Sequence, residues 1–248
     1  DMSLIKQPFG FGAGGRADVG DAPQTNLKYH FRADVGVTDS SGVEAWSDQQ
    51  GTGESLDAAT THKPTYNASA TVGTLINAGA IECNGSTNDL SNTTMTTTNH
   101  TFDMFVVFQQ KTWVGSAGQD DVLTYKGTGE AHFAQVDGGT TPELELVTGI
   151  ADSGSITDFA LSTWALAILA WDGPDSSLAR NDDSPNANSA GSNDWAMTTG
   201  MTLGASGRPG NYAWLHGDFA ELLIYDAHQS GADLTAIKNY INGQYGLW

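Results

Sequence analysis

Two carboxylates stand inside the otherwise apolar run FAELLIYD, which spans Phe219 to Asp226. A pair of carboxylic acids on either side of a scissile bond is what most glycoside hydrolases use. The run is short, aliphatic and aromatic, and turn residues follow it, which predicts a β-strand. Side chains alternate faces along a strand, so Glu221 and Asp226, at an odd separation with no sign of a bulge between them, are expected on opposite faces. We therefore expect Glu221 to make structural hydrogen bonds and not to catalyse hydrolysis.

A second acidic series, PELELV, places Glu143 and Glu145 on one face of a predicted strand. A third acid on that face would complete a catalytic series, but Val147 occupies the position. Glu130 and His132 supply one acid and one histidine, whereas a polysaccharide lyase needs a larger convergent set. The sequence thus favours a protein that is not an enzyme.

Two loops rich in oxygen ligands, WDGPDSS and RNDDSPNANSAGSNDW, are candidates for metal binding. The side chains that would bind are Asp172, Asp175, Asp182 and Asp183. Calcium prefers carboxylate and carbonyl oxygens, but neither loop follows the twelve-residue calcium-loop pattern. Loops of this composition are also common as solvated turns, so the sequence leaves both interpretations open, with calcium as the one possible cofactor.

A third loop, SGRPGNYAWLHGD, carries the residue types that bind sugars. The candidates are Arg208, Asn211, Tyr212, Trp214 and His216. Aromatic rings stack on the apolar faces of sugars, while amide and guanidinium groups bond hydroxyls. The alternative, which we favour at this point, is that the aromatic side chains turn inward and fill the space beneath the loop.

The charge balance excludes one class of partner. The 248 residues include 29 Asp plus Glu against 10 Lys plus Arg, a formal net charge of −19. Such a surface repels the phosphates of nucleic acid.

The longest apolar run, Phe159 to Trp171, is interrupted by polar residues and too short to span a bilayer. One cysteine, Cys83, excludes an internal disulfide framework, and no signal-peptide pattern opens the chain.

Short alternating or apolar runs between Gly, Asn, Asp, Ser and Thr clusters predict many strands and an all-β sandwich or jelly roll. The final segment differs, because Leu234, Ile237, Ile241 and Tyr245 recur at helical spacing and predict one amphipathic helix. Residues 1–26 are rich in Gly, Ala and Pro and predict an extended arm before a domain at 27–248. The apolar anchors of this arm are Leu4, Ile5, Phe9 and Phe11.

The order of these pieces resembles a known family. FRADVGVTDSSGVEAWSDQQGTGESLDAAT, AIECNGSTNDL, FDMFVVFQ, WALAILAWDG and MTLGA precede a closing GDFAELLIYDAHQSGADLTAIKNYINGQYGL. That succession is similar to the laminin-G-like, concanavalin-A-like jelly-roll domains of bacterial surface proteins and phage virion proteins. The resemblance implies two curved antiparallel sheets with the last helix packed near their edge. It does not fix a function, because this fold serves many.

We expect a non-catalytic structural protein of a phage virion, a capsid decoration or tail-surface component. The arm would attach it at the virion surface to protein partners, including copies of itself. The alternative is a carbohydrate-binding adhesion module, extracellular or on a cell surface, with a glycan as its ligand. A polysaccharide hydrolase or lyase is the third possibility.

Overall fold

A computed structural model describes residues 21–112, 119–126, 130–137, 142–148, 151–156, 160–187, 196–205 and 214–248. These residues form seventeen β-strands, one short 3-10 helix and one α-helix, α1 (Gly231–Tyr245). The strands make two sheets in which every pairing is antiparallel. This confirms the predicted all-β, two-sheet sandwich with a C-terminal helix.

The eight-stranded sheet has two long strands at its centre, β8 (Phe102–Thr112) and β17 (His216–Tyr225). Its order is β15 (Asn186–Ala187), β14 (Ser177–Arg180), β13 (Ala165–Trp171), β8 (Phe102–Thr112), β17 (His216–Tyr225), β6 (Ala80–Asn84) and β5 (Thr65–Asn67), and β1 (Leu27–Arg32) pairs with the second half of β17.

The nine-stranded sheet packs against it face to face. Its order is β12 (Ala151–Ile156), β11 (Pro142–Thr148), β10 (Glu130–Asp137), β9 (Gln119–Lys126), β16 (Met201–Leu203), β7 (Leu90–Asn92), β4 (Ser55–Asp57), β3 (Val43–Ser47) and β2 (Val37–Asp39).

Strand β8 is apolar on both faces because it lies between two cores. Phe102, Met104 and Phe108 belong to the core between the sheets. Phe105 and Val107, at the alternate positions, belong to a second cluster on the outer face. Each such side chain contributes about 1.5–3 kcal/mol when it is fully removed from water. The eight-stranded sheet is therefore the middle layer of three.

Helix α1 supplies much of the third layer. Ile237, Tyr240, Ile241 and Tyr245 are buried in the outer cluster, as the helical spacing predicts. The helix ends at Gly246, whose left-handed backbone (φ 60°) lets its N–H bond the carbonyl of Asn242 at 2.7 Å. Among the described residues, no helix is long and apolar enough to cross a membrane.

The packed domain begins earlier than the sequence indicates. Ala22 is 2 % exposed and belongs to the outer cluster. The Tyr225 hydroxyl donates to the carbonyl of Pro23 at 2.9 Å, and the Asp226 N–H donates to the carbonyl of Asn26 at 2.9 Å. Residues 21–26 therefore pack on the sandwich, although we assigned them to the arm. The predicted anchors Leu4, Ile5, Phe9 and Phe11 lie outside the described residues.

A buried carboxylate ties β8 to the segment that precedes the helix. Asp103 is 1 % exposed, and it accepts a hydrogen bond from the Gln229 N–H at 2.7 Å. Its other oxygen lies 3.1 Å from His228 Nδ1. Burial raises the pKa of Asp103, and the hydrogen bond to Asp103 raises the pKa of His228. Protonated His228 is therefore favoured in the folded state.

We expect protonation of His228 to stabilise the fold. The contribution is fully present below the unfolded-state pKa of about 6.5 and is lost as the pH rises through the higher folded-state pKa. The side chain is partly exposed, so the effect should stay below about 1 kcal/mol. Chemical denaturation at about pH 6 and about pH 8 measures it. The difference should shrink in His228→Gln and persist in His100→Gln, a change at an exposed position; an unaltered pH dependence in His228→Gln would contradict the assignment.

Candidate functional site

Two of the five predicted sugar ligands lie in the described part of the chain. Trp214 and His216 stand on either side of Leu215, a fully buried core residue. The Trp214 side chain is only half-buried, and its ring meets that of His62 edge to face, with centroids 5.7 Å apart. Leu215, and not Trp214, is the residue of this segment that belongs to the core between the sheets. Arg208, Asn211 and Tyr212 lie outside the described residues.

His216 continues into a row of polar groups across three strands. Its Nδ1 lies 2.7 Å from the hydroxyl oxygen of Thr112, and its Nε2 lies 3.7 Å from Glu82 Oε1. Lys111 Nζ bridges two carboxylates, Glu82 at 3.0 Å and Asp218 at 2.9 Å. Burial alone lowers the pKa of Lys111, but its bonds to Asp218 and Glu82 outweigh this and raise it, so the ammonium keeps its charge.

We use the name β17 rim for two groups that adjoin along the chain at the start of β17. One is the Trp214–His62 ring pair, and the other is His216 with Glu82, Asp218 and Lys111. His62 is held by Asp89, whose Oδ1 lies 2.7 Å from Nδ1. The rim combines an aromatic ring with imidazole, ammonium and carboxylate groups. An aromatic face binds the C–H side of a sugar, and the polar groups around it can donate to and accept from hydroxyls.

The aspartates predicted to bind calcium are not brought together. They occupy two turns and are Asp172, Asp175, Asp182 and Asp183. Asp183 Oδ2 pairs with Arg180 Nε at 3.1 Å, and Asp182 lies 3.9 Å from Lys238 Nζ. Within the described ranges, no three His, Cys, Asp or Glu side chains are close enough to hold a metal ion. Two of the four carboxylates therefore lie beside a cation of the protein itself, Asp183 beside Arg180 and Asp182 beside Lys238.

The carboxylates of FAELLIYD are held by separate partners, as the sequence predicts. Glu221 is fully buried, with Oε1 2.6 Å from His30 Nε2 and 2.9 Å from the Tyr240 hydroxyl. Asp226 accepts from Lys28 Nζ at 3.0 Å and from the Thr98 N–H at 2.7 Å. The register of β17 against β8 shifts between Phe219 and Glu221, so a bulge exists in the run. It precedes Glu221 and does not lie between the two acids.

The PELELV series forms strand β11, which pairs with β10. Glu143 lies opposite Val136 and Glu145 opposite Ala134. Glu130 and His132 lie in β10 itself.

Sequence reasoning missed a polar cleft beside β1. It has a volume of about 460 Å³, and its polar lining is Asp21, Gln24, His30, Arg32, Gln49 and Gln50. These residues come from three segments with no fixed spacing, so no motif announces them. One signal was available: the alternation in KYHFR places His30 and Arg32 on the same face of the strand, opposite the core residue Phe31.

No protein-family model matches the sequence, and no curated protein matches it. Among solved structures, Trypanosoma rangeli sialidase is similar over 89 % of this chain and 33 % of its own, with 11 % identity and a TM-score of 0.60. Domain 4 of AbnA, a GH43 extracellular arabinanase from Geobacillus stearothermophilus in complex with arabinotriose, is similar over 87 % of this chain and 98 % of its own, with 12 % identity and a TM-score of 0.58. An SAP-like pentraxin from Limulus polyphemus is similar over 65 % of this chain and 81 % of its own, with 12 % identity and a TM-score of 0.52.

These likenesses show the fold, a jelly-roll-like β-sandwich of the lectin type. The chain spans about one third of the length of the sialidase. The narrower laminin-G assignment stays a prediction. The expectation of a phage virion protein is wrong: the similar structures come from glycoside hydrolases and a pentraxin, and none of those named is a virion component. The error arose from inferring a role from a fold that serves many roles.

The half-buried position of Trp214 predicts a small effect on stability. We expect Trp214→Ala to cost at most about 2 kcal/mol of unfolding free energy, because the residue is partly exposed and lies outside the core between the sheets. Trp46→Ala, the matched change at a fully buried tryptophan, should cost about 3–5 kcal/mol. Denaturant titration of both variants decides the point. Equal losses would mean that Trp214 is a core residue after all.

Proposed function

We propose that this chain is a carbohydrate-binding module that binds neutral oligosaccharides at the β17 rim and does not cleave them. The observation that carries the proposal is the half-buried Trp214 ring, fixed edge to face on His62 at 5.7 Å. A ring held in place loses little entropy when a sugar stacks on it. The adjacent imidazole, ammonium and carboxylate groups would bond the hydroxyls of the same sugar.

The charge of the chain favours neutral glycans over acidic ones. The formal net charge is −19, and the rim itself carries the carboxylates Glu82 and Asp218 around one ammonium, Lys111. An anionic sugar would meet this field with repulsion, whereas an uncharged one would not. Domain 4 of the arabinanase, which the chain resembles over most of both lengths, was solved with a neutral trisaccharide, arabinotriose.

The non-catalytic part of the proposal rests on the positions of the acids. Glu221 is buried beneath α1, and Asp226 is bound by Lys28 and Thr98, so neither is presented to a sugar at the rim. Glu82 and Asp218 do stand at the rim, but both are bonded to the same ammonium, Lys111 Nζ, at 3.0 and 2.9 Å.

Binding should depend on the Trp214 ring. Calorimetric titration with arabinotriose, xylotriose, cellotriose and mannotriose should give saturable binding to at least one of them. Trp214→Ala should weaken that binding by about tenfold or more, the loss expected for a stacking aromatic. Trp248→Ala, at a tryptophan that is 41 % exposed near the end of α1, should bind as the parent does.

Three outcomes would count against the proposal. If none of the four neutral sugars binds, or if Trp214→Ala binds them with equal affinity, the rim is not a site for neutral sugars. Tighter binding of trigalacturonate or sialyllactose than of any neutral sugar would contradict the charge argument. New reducing ends after incubation with arabinan, xylan, cellulose or mannan would show that the chain is an enzyme.

A further inference from the structure

The polar cleft beside β1, which we call the His30 cleft, is separate from the β17 rim. It lies against β1 and the turn after β3, whereas the rim lies at the start of β17. Its volume of about 460 Å³ falls within the roughly 300–1,000 Å³ typical of small-molecule sites.

The imidazole of His30 is held in one orientation by a buried carboxylate. Glu221 accepts at Oε1 from His30 Nε2 at 2.6 Å and from the Tyr240 hydroxyl at 2.9 Å. An ionised Glu221 only accepts, so Nε2 is then the donor, and in that tautomer the lone pair of the imidazole is on Nδ1. His30 is 6 % exposed and lines the cleft, and because Nε2 is bonded to Glu221, Nδ1 is the ring nitrogen left for a ligand there.

Stability alone does not account for this arrangement. Glu221 is 0 % exposed, and its Oε2 has no hydrogen-bond partner among the described residues. Burying such a pair is generally no better for stability than apolar side chains of the same volume. The gain is the fixed imidazole. Buried carboxylates that orient a histidine are a common means of preparing its second nitrogen for a ligand.

The cleft walls are fixed to β1 by the backbone. The His30 N–H donates to Asp48 Oδ1 at 2.7 Å, and the Gln49 N–H donates to the His30 carbonyl at 2.7 Å. Gly36, in a left-handed conformation (φ 80°), lies against the Gln49 amide, where a Cβ would collide with it. The glycine therefore leaves room for that amide at the cleft.

The lining matches a neutral ligand with many hydroxyls. Three primary amides face the cleft, from Gln24, Gln49 and Gln50, and each offers donors and an acceptor. The Gln50 amide has no hydrogen-bond partner among the described residues. Arg32 is already paired with Asp34, at 3.1 and 2.9 Å, so its charge is not free for an anion. Amides and an oriented acceptor suit hydroxyl groups.

We propose that the His30 cleft is a second saccharide-binding site, in which Nδ1 of His30 accepts a hydroxyl and the Gln50 amide bonds a neighbouring one. The site would make the module bivalent for neutral glycans and raise its avidity for long chains. Its existence does not require the β17 rim to bind.

The test follows histidine ring nitrogens by NMR in the full chain, on a Trp214→Ala background that weakens binding at the rim. Addition of arabinotriose, xylotriose, cellotriose or mannotriose should shift the His30 Nδ1 resonance in a saturable way. Gln50→Ala, which leaves the Glu221 pair intact, should weaken that binding about threefold to tenfold. Asn239→Ala, the removal of an exposed amide on α1, should not change it.

The proposal is overturned if none of the four sugars moves the His30 resonance, or if Gln50→Ala binds them as tightly as the parent. Tighter binding of trigalacturonate would also overturn it, because the cleft would then prefer anions. Because the measured resonance belongs to His30, which is not part of the rim, success or failure of binding at the rim leaves these results unaffected. His30→Gln serves only to assign the resonance, since it can destabilise the buried pair.

Discussion

Glu221 is a side chain with no access to water, and its hydrogen bonds join the strands of the middle layer to the helix layer. A bulge in β17 precedes it, and its partners come from β1, through His30, and from α1, through Tyr240. Tyr245 of the same helix is buried beside it, and burial, together with the Glu221 charge, raises the pKa of Tyr245 so that its hydroxyl keeps its proton. Removing one partner would leave a buried charge uncompensated, a cost of several kcal/mol. The helix, β1 and β17 are therefore coupled at this point.

The two candidate binding surfaces lie at opposite ends of β17, and only one of them adjoins this network. The His30 cleft lies directly against the Glu221 network, so its geometry depends on the helix layer. The β17 rim lies at the other end of the same strand, beyond the bulge, and is held by Lys111 and its two carboxylates. One strand, β17, thus supports both surfaces, and its central position between β8, β6 and β1 keeps it rigid.

The two sheets and the helix could be predicted because burial leaves periodic traces, but the helix belongs to a cluster with residues of the central strands, whereas the resemblance implies a position near the edge. Strand β8 is apolar at successive positions since it faces a core on each side, and the stripe of Ile237, Ile241 and Tyr245 marks the helix face. The arm boundary was placed too late, because Ala22 and the backbone carbonyl of Pro23 make their contacts without any large apolar side chain. Composition cannot detect such contacts.

The candidate sites were predicted only in part. Alternation could not tell which parity of the segment around Trp214 faces the core, and Leu215 takes that role. The cleft draws on residues from three segments that only the sheet register brings together. The most direct test of glycan binding is a crystal structure of the chain grown with each neutral trisaccharide. The account predicts sugar density stacked on the Trp214 ring, within hydrogen-bond distance of His216 or Lys111; sugar bound only at surfaces away from this ring would contradict it.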